Sequence, residues 1–337
     1  MLFKEKLKTL LLKSGAFRLR QMMLPRSVLI LAYHSVATDW RKQADYITRG
    51  ITTDADIFED HMRILRQEYN PITLEEVSDG LRGTFSLPPR SIVVTFDDGF
   101  ADNYSVAAPI MERYGIRGTI YLTVGATLRQ ELPWFCRTNF LFQRAKNKNI
   151  ILTDKKTNRT WHLGDQLENR EALVLYCHPC ARLSGDELSD YVSGLESWFG
   201  FGLDLKEVRG MMTFEQAREL RQRGHIIGNH TFSHCNVAHI PRELLQLEMV
   251  ESNEILEREL GEPVEHFSYP HPCLNPQWND ATLAETEKLN YKTAVLTSFG
   301  QVTSRRSPLL LPRILLNNQD NKEFRWKLEN ALAKIQV

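Results

Sequence analysis

Short hydrophobic runs alternate along this chain with longer segments in which hydrophobic residues recur every three or four positions. The short runs predict buried strands at 28–33, 91–94, 118–123, 225–228, 264–269, 292–297 and 311–316. The longer segments predict helices at 57–68, 74–81, 103–114, 213–223, 241–260, 280–289 and 322–335. This alternation of strands and helices indicates an α/β fold with a parallel sheet, either barrel-like or doubly wound.

The alternation is interrupted between residues 126 and 211. This stretch is rich in charged and polar residues and has only weak helical periodicity, with a turn-prone patch at 147–159. We expect residues 126–211 to be a mostly helical insertion on the rim of one large domain that covers residues 27–337.

Residues 1–26 form a basic amphipathic segment ahead of that domain. They contain seven Lys or Arg residues and one Glu, and apolar residues are interleaved with the basic ones. Such a helix can lie on an anionic membrane surface or pack against its own domain. The longest apolar run, at 10–12, is too short for a signal peptide or a membrane-spanning helix. We therefore expect a cytoplasmic protein, peripheral at the inner membrane face if the segment binds lipid.

The charge balance argues against a nucleic-acid partner. The chain has 42 Lys and Arg residues and 42 Asp and Glu residues, so its formal net charge is zero. Nucleic-acid-binding proteins usually carry a clear excess of basic residues. A neutral substrate such as a sugar is compatible with this composition.

Two groups of polar residues follow predicted strands and could together form a metal site. Asp97 and Asp98 come just after one strand, and His230 and His234 come just after another. If the fold brings them together, one carboxylate and two imidazoles supply three ligands and leave a coordination position open. That is the composition of a hydrolytic zinc site. The second carboxylate is then available for proton transfer.

These motifs resemble those of the polysaccharide deacetylase family, the NodB-homology domain of carbohydrate esterase family 4. Residues 95–99 read T-F-D-D-G and residues 230–234 read H-T-F-S-H, which match the family's T-F-D-D-G and H-[ST]-x-[ST]-H motifs. Residues 267–270 read F-S-Y-P and resemble a variant subgroup with Tyr-Pro in the third motif. The resemblance covers about residues 27–335 and implies a deformed (β/α) barrel with an insertion.

The resemblance also implies roles for the four polar residues. Asp98, His230 and His234 would hold a divalent metal ion, with Zn²⁺ as the first expectation and Co²⁺ or Ni²⁺ as alternatives that the same ligands serve. Asp97 would be the general base that takes a proton from the attacking water. The implied reaction removes an acetyl group from a sugar.

Two positions depart from the family pattern. The third motif often contains an Arg that orients the catalytic Asp, and this chain has no Arg there. Arg313, which closes a later strand on the same rim, is a candidate replacement, and the alternative is a surface Arg in an ion pair. The last motif normally ends in a His that acts as general acid, and Asn317 stands here instead. His34 or His271 could supply the proton, although His34 could also be a strand-end residue with one backbone hydrogen bond.

Three further residues are predicted to contact the substrate. Tyr269 and Pro270 belong to the third motif, and Trp134 opens the insertion, where its ring could stack on a sugar. For Trp134 the alternative is a buried aromatic pair with Phe135.

The sequence therefore predicts a metal-dependent carbohydrate deacetylase. Its substrate would be a sugar of a polysaccharide, or of a lipid-linked or nucleotide-linked precursor, and an N-acetyl group is expected ahead of an O-acetyl group. Two alternatives stay open. One is a related metal amidase that acts on a non-sugar C–N bond. The other is a catalytically impaired barrel that only binds glycan, which the missing Arg and acid would favour.

Overall fold

Seven parallel strands close into a barrel in the computed structural model of the protein. The structure describes residues 8–12, 14–15, 17, 26–145, 150–154, 159–163, 166–204, 208, 210–272, 274–304 and 306–333. The barrel strands are β1 (Val28–Tyr33), β2 (Ser91–Phe96), β3 (Gly118–Leu122), β4 (Ile226–Asn229), β5 (His266–Ser268), β6 (Thr293–Leu296) and β7 (Leu311–Leu315). Each strand pairs with the next along the chain, and β7 pairs with β1 to close the ring.

The closed ring confirms the predicted fold class and decides between the two sheet arrangements that the sequence left open. All seven strands lie on hydrophobic runs, because strands that are buried on both faces contain few polar residues. Helices connect the first six strands in turn, as parallel pairing requires.

Side chains alternate between the barrel interior and the surrounding helices along each strand. In β1, Leu29, Leu31 and Tyr33 belong to the large core between the strands and the helices. Val28 and Ile30 belong instead to a smaller core inside the barrel. The same alternation decides which residues near the strand ends face the mouth of the barrel.

The helices pack around the barrel or within the insertion. The described α-helices are α1 (Ala55–Glu68), α2 (Leu74–Arg82), α3 (Ala108–Arg113), α4 (Val124–Arg129), α5 (Trp134–Ala145), α6 (Gln166–Cys177), α7 (Gly185–Phe199), α8 (Phe214–Gln222), α9 (Ser252–Leu260), α10 (Asp280–Lys288) and α11 (Asn321–Ala333). The start of α8 agrees with the sequence, since Thr213 caps it and forms a reciprocal capping box with Gln216.

The segment predicted as one helix at 241–260 is divided into three parts. It contains a 3₁₀ turn (Arg242–Leu244), a π-helical turn (Gln246–Glu251) and then α9. The prediction of helix is right, but the prediction of one continuous α-helix is wrong. Turns with π geometry often occur near functional sites, and this one brings Glu248 into the protein interior.

Between β3 and α8 the chain adds α4 to α7 and an antiparallel strand pair, Ile151–Asp154 with Arg159–His162. The strand pair lies in the patch that the sequence indicated only as turn-prone, because its strands are short and largely polar. A separate hydrophobic core, which includes Phe142 and Phe199, holds this region together. The domain boundaries at 26 and at 126–211 stay predictions.

The basic segment of residues 1–26 lies mostly outside the described residues. Where it is described, Lys8 pairs with Glu323, and Phe17 makes an edge-to-face contact with Trp326. Both partners belong to α11, so these contacts fit packing against the domain, and contact with a membrane stays a prediction. Within the described part of the chain, every helix is too short or too polar to span a lipid bilayer.

The close packing of β4 predicts that Gly228→Ala destabilises the protein. A Cβ atom at Gly228 would lie 2.4 Å from Cδ1 of Tyr121 and 2.8 Å from the carbonyl oxygen of His266. We expect a loss of roughly 1–3 kcal/mol in the free energy of unfolding, measured by chemical denaturation. Gly194→Ala is the matched control, since a Cβ there meets nothing within 4 Å and should stabilise α7 by about 0.5–1 kcal/mol. Equal losses in both variants would contradict the prediction.

Candidate metal centre and active site

The carboxyl ends of four barrel strands bring polar side chains to the mouth of the barrel. β2 leads into Asp97 and Asp98, and β4 leads into His230. Ser268 ends β5, and His34 directly follows β1. Parallel strands point the same way, so their carboxyl ends meet at one face, which carries the catalytic groups in (β/α) barrels.

Asp98, His230 and His234 form a compact cluster that could hold a metal ion. One ligand atom from each residue lies within 4.8 Å of the others. Nε2 of His234 is 3.3 Å from Oδ1 of Asp98, and Nε2 of His230 is 3.7 Å from the same oxygen. The structure thus brings together the three predicted ligands from two distant segments of the chain. Their role as ligands stays a prediction.

A hydrogen bond orients His230 toward Asp98. Nδ1 of His230 lies 2.8 Å from the carbonyl oxygen of Ser268, so this nitrogen carries the proton and donates it. Nε2 then has a free lone pair, and it is the nitrogen that faces Asp98. Backbone carbonyl groups commonly orient metal-binding histidines in this way.

The electrostatics of the cluster fit a divalent cation. Oδ1 of Asp98 is buried and has no hydrogen-bond partner among the described residues. Burial, together with the charge of Asp97, raises the pKa of Asp98 well above its ordinary value, whereas burial lowers the pKa of both His230 and His234. Among the described residues no Lys or Arg contacts Asp98, and the imidazoles are in the neutral form that binds metal. This set of nitrogen and oxygen atoms suits Zn²⁺, and also Co²⁺ or Ni²⁺.

Three residues around the cluster adopt the left-handed backbone conformation, which is unfavourable for residues other than glycine. The φ angles are +75° at Asp98, +65° at Thr231 and +58° at His234. Two side chains support the histidine loop, defined as residues 230–234. Asn229 accepts a hydrogen bond from the Thr231 N–H, and the Thr231 hydroxyl accepts one from the His234 N–H. Strained backbone that side chains hold in place is typical of functional sites.

Asp97 lies beside the cluster and forms a bidentate ion pair with Arg313. Each terminal guanidinium nitrogen donates to one carboxylate oxygen at 2.7 Å, and both side chains are buried. The Ser268 hydroxyl donates to Asp97 at 3.2 Å and accepts from Arg313 at 2.9 Å. Burial alone would favour the neutral acid, but Arg313 and, after it, His230 hold the pKa of Asp97 far below its ordinary range. Asp97 is therefore ionised at neutral pH, and Arg313 lies beside it rather than in a surface ion pair.

His34 belongs to the same charged environment. It interacts electrostatically with Asp97, Arg313 and His230. Burial lowers the pKa of His34 to about 4, so its ring is neutral near neutral pH in this environment. Nδ1 of the ring is buried and has no hydrogen-bond partner among the described residues, while the backbone carbonyl accepts from the Asn103 side chain at 2.7 Å. Nδ1 of the ring therefore has no partner there, whereas the backbone carbonyl of His34 is already hydrogen-bonded.

The side chain of Tyr269, which the sequence analysis predicts to contact the substrate, is buried away from the mouth of the barrel. Tyr269 follows Ser268, so the alternation along the strand turns its side chain away from the barrel interior. The ring is fully buried against Phe267, and its hydroxyl lies 3.3 Å from Thr286 on α10. Ser268 is the third-motif residue whose side chain reaches the site. Pro270 is also buried, and its contact with a substrate stays a prediction.

Trp134 and His271 make contacts that differ from the predicted ones. Trp134 is only 8% exposed, its indole N–H donates to the His234 carbonyl at 3.2 Å, and it packs edge to face on Phe135. These contacts favour the alternative of a buried aromatic pair over a ring that stacks on a sugar. The ring of His271 lies 3.3 Å from the Asn275 side chain in the loop after β5. The described contacts therefore give His271 no link to the carboxylates.

The sequence analysis missed two residues that organise the site, Ser268 and Glu248. Ser268 bridges Asp97 and Arg313, and its place in the third motif was the signal that could have identified it. Glu248 is fully buried and binds the backbone of the histidine loop. It stands in an ordinary amphipathic segment, so no local pattern marks it.

Comparison with known proteins agrees with the geometry of the site. A family model described as polysaccharide deacetylase matches residues 197–294, which include the histidine loop and β5. YxkH of Bacillus subtilis, which is named as a polysaccharide deacetylase, is 21% identical over 291 residues that cover 86% of this chain and 71% of that protein. Both matches agree on the polysaccharide deacetylase family, which this chain resembles. The resemblance predicted from the sequence motifs is thereby confirmed.

Solved structures of deacetylases share the fold at low sequence identity. The deacetylase PplD of Streptococcus pyogenes, solved in complex with acetate, has a TM-score of 0.60 and 19% identity, and the match covers 92% of this chain and 99% of that one. A de-N-acetylase of Aggregatibacter actinomycetemcomitans has a TM-score of 0.56 and 17% identity, over 88% and 99% of the two chains. IcaB of Ammonifex degensii has a TM-score of 0.56 and 15% identity, over 92% and 98%.

The buried ion pair predicts that Arg313→Met destabilises the protein in a pH-dependent way. The substitution leaves Asp97 buried without a positive partner, which should lower the free energy of unfolding by roughly 3–5 kcal/mol at neutral pH. The deficit should shrink in mild acid, because an unpaired buried carboxylate has a raised pKa and the folded variant then gains a proton. In the wild type the pKa of Asp97 is depressed, so the ion pair's contribution to the free energy of unfolding is fully present above the unfolded-state pKa of about 3.9 and is lost only at lower pH.

Chemical denaturation between mildly acidic and neutral pH measures this effect. The matched control is the double variant Asp97→Asn/Arg313→Met, which removes both charges and should lose less stability with no pH trend. A single variant that is as stable as the wild type at neutral pH would contradict the prediction.

Proposed function

We propose that the chain is a metal-dependent hydrolase that removes an acetyl group from a sugar of a polysaccharide or of its lipid-linked or nucleotide-linked precursor. The observation that carries the proposal is the convergence of ligand atoms from Asp98, His230 and His234 beside the ionised carboxylate of Asp97. The matches to the polysaccharide deacetylase family support an acetylated polysaccharide as the substrate class. One of the proteins with this fold is named a de-N-acetylase, which supports an N-acetyl group ahead of an O-acetyl group.

Asp98, His230 and His234 would hold the metal ion and leave at least one coordination position for water or substrate. A divalent cation, when bound, lowers the pKa of water to about 7 and polarises a carbonyl oxygen. The protein's own contribution is to keep the two imidazoles neutral through burial and to orient His230 through its hydrogen bond to the carbonyl of Ser268.

Asp97 would accept the proton of the attacking water. It is ionised, it directly precedes Asp98, and Arg313 fixes both of its oxygens. The water oxygen forms a bond to the acetyl carbon, and collapse of the tetrahedral intermediate breaks the C–N bond to give acetate and an amine. Because Arg313 makes Asp97 a weak base, the proton that Asp97 accepts is readily passed on.

His34 would deliver that proton to the leaving nitrogen. An amide anion is a very poor leaving group, so C–N cleavage needs a proton on the nitrogen, whereas an ester needs it much less. The low pKa of His34, about 4, means that the ring is neutral before the reaction. His34 must therefore receive a proton during the cycle, and we propose Asp97, with which it interacts electrostatically, as the source.

The ion pair of Asp97 with Arg313 supports an active enzyme over a barrel that only binds glycan. It supplies from β7 the positive charge that the third motif lacks. A metal amidase that acts on a non-sugar C–N bond would use the same residues, so the choice of substrate distinguishes that alternative. Acetate release from N-acetylated oligosaccharides, compared with release from simple N-acetyl amides, makes the distinction.

Metal analysis should separate the roles of the two adjacent carboxylates. Asp98→Asn and His230→Ala each remove a ligand, so the variants should lose Zn²⁺ and activity together after dialysis. Asp97→Asn is the matched control, since the same carboxylate-to-amide change one residue away should keep the metal and lose roughly 10²–10⁴-fold in turnover. Zinc per chain is measured by plasma mass spectrometry, and turnover by acetate release.

Two outcomes would contradict these assignments. Stoichiometric zinc in both Asp98→Asn and His230→Ala would mean that these residues are not ligands. Loss of zinc in Asp97→Asn would mean that the two carboxylates exchange or share roles. Since Asp97→Asn also leaves Arg313 buried without its partner, circular dichroism should first establish that each variant is folded.

His34→Ala should harm amide substrates far more than ester substrates. The proton is essential for an amine leaving group and nearly dispensable for an activated acetate ester, so turnover of N-acetyl sugars should fall roughly 10²–10⁴-fold. Turnover of an activated acetate ester, measured with the same enzyme preparation, serves as the internal control and should change little. Equal damage to both substrates would point to a structural or binding role for His34. No damage to either would move the acid to His271 or to water.

A further inference from the structure

Glu248 is a buried carboxylate that contacts both the histidine loop and the insertion. It lies in the π-helical turn before α9 and is completely buried. In the described part of the chain, no Lys or Arg pairs with it, and neutral N–H and O–H groups bind it instead. A buried charge without a cation persists only when such hydrogen bonds compensate for its lost hydration.

On one side, Glu248 fixes the backbone of the histidine loop. Its Oε2 accepts the N–H groups of Phe232 and Ser233 at 3.1 and 2.9 Å, and its Oε1 accepts the Ser233 hydroxyl at 2.7 Å. Two successive N–H groups that point at one carboxylate form an anion-binding nest. Phe232 and Ser233 lie between His230 and His234, so the carboxylate sets the path of the backbone that connects the two imidazoles.

On the other side, Glu248 holds the start of α7. Ser184 occupies the N-cap position of α7, but its hydroxyl makes no cap bond to its own helix and donates to Oε1 of Glu248 instead. The Gly185 N–H, in the first turn of α7, donates to the Ser233 hydroxyl at 3.0 Å. Because N-terminal N–H groups of a helix need outside partners, the histidine loop completes the cap of α7.

We infer that Glu248 is a positioning residue that couples the metal site to the insertion. The inference rests on the proposed metal site. A metal that fixes His230 and His234 also fixes the loop between them, and this strengthens the bonds that cap α7. Coupling of this kind is reciprocal, so an ordered α7 also strengthens metal binding. The hydrogen bond from Trp134 to the His234 carbonyl links the loop to α5 of the insertion in the same way.

Hydrogen exchange of chelator-treated, metal-free protein tests whether Glu248 and Ser184 stabilise the start of α7. Glu248→Met and Ser184→Ala should each speed exchange of the amides at 185–188 roughly three- to tenfold, the effect of one lost hydrogen bond. Glu329→Gln is the matched control, since Glu329 is also a buried carboxylate but is held elsewhere by Tyr69 and Arg90. If the amides at 185–188 exchange in Ser184→Ala as slowly as in the wild type, the inference is overturned. The Ser184→Ala variant alone decides the test if Glu248→Met does not fold.

Addition of Zn²⁺ tests the coupling itself. In the wild type, Zn²⁺ should slow exchange both at 229–236 and at 185–192, whereas in Ser184→Ala only 229–236 should respond. Glu248→Met should bind Zn²⁺ about tenfold or more weakly in competition with a chromogenic chelator, and Glu329→Gln should bind it as the wild type does. Unchanged affinity in folded Glu248→Met would overturn the positioning role.

The outcomes distinguish this inference from the proposed function. If the wild type binds Zn²⁺ but Zn²⁺ protects 229–236 alone, the coupling is wrong and the metal site stands. If the wild type binds no Zn²⁺, the metal site is wrong, and the coupling to it falls with it, whatever the exchange of the chelator-treated protein shows.

Discussion

The site depends on how two adjacent carboxylates are neutralised where both are buried. Asp97 and Asp98 cannot both stay ionised at the mouth of the barrel without positive charge nearby, because burial removes the water that would solvate them. Arg313 neutralises Asp97 and fixes its orientation. Asp98 faces two neutral imidazoles and has no such partner among the described residues. Environment thus makes one side chain an ionised carboxylate and raises the pKa of the other, which would stay ionised only beside a cation, although the two residues are of the same type.

Closure of the barrel explains how Arg313, near the end of the chain, can form an ion pair with Asp97, which lies in the first third of the chain. β7 pairs with β1, and β1 pairs with β2, so Arg313 lies only two strands away from Asp97. In the family pattern the Arg belongs to the third motif, which here begins on β5 and continues just after it. Ser268 stands on β5 instead, and its short side chain hydrogen-bonds to the guanidinium that arrives from β7. The same charge is therefore delivered from another strand, and its position in space matters more than its position in the sequence.

The sequence predicts the structural features that depend on local patterns of residues. It does not predict features that depend on the direction of a side chain or on contacts with residues far away in the sequence. The barrel strands and the convergence of Asp98 with the two histidines follow from hydrophobic runs and from the position of polar residues at strand ends. The buried position of the Tyr269 side chain could not be predicted, because a motif does not state which side of the strand each residue faces. Glu248 could not be found, since its partners, such as Ser184, lie far away in the sequence.

The arrangement of the site comes at the expense of local backbone stability, and buried polar contacts offset that loss. Asp98, Thr231 and His234 adopt a conformation that costs of order 1–3 kcal/mol at each non-glycine residue. Hydrogen bonds that the loop's own N–H groups donate to Asn229 and Glu248 hold the histidine loop against this strain. The side chains of Asp98, His230 and His234 are consequently held in place by the fold itself, so the proposed reaction would need little reorganisation as charge develops. A substitution that relaxes the strain without touching a ligand would therefore be expected to stabilise the fold and to weaken the site.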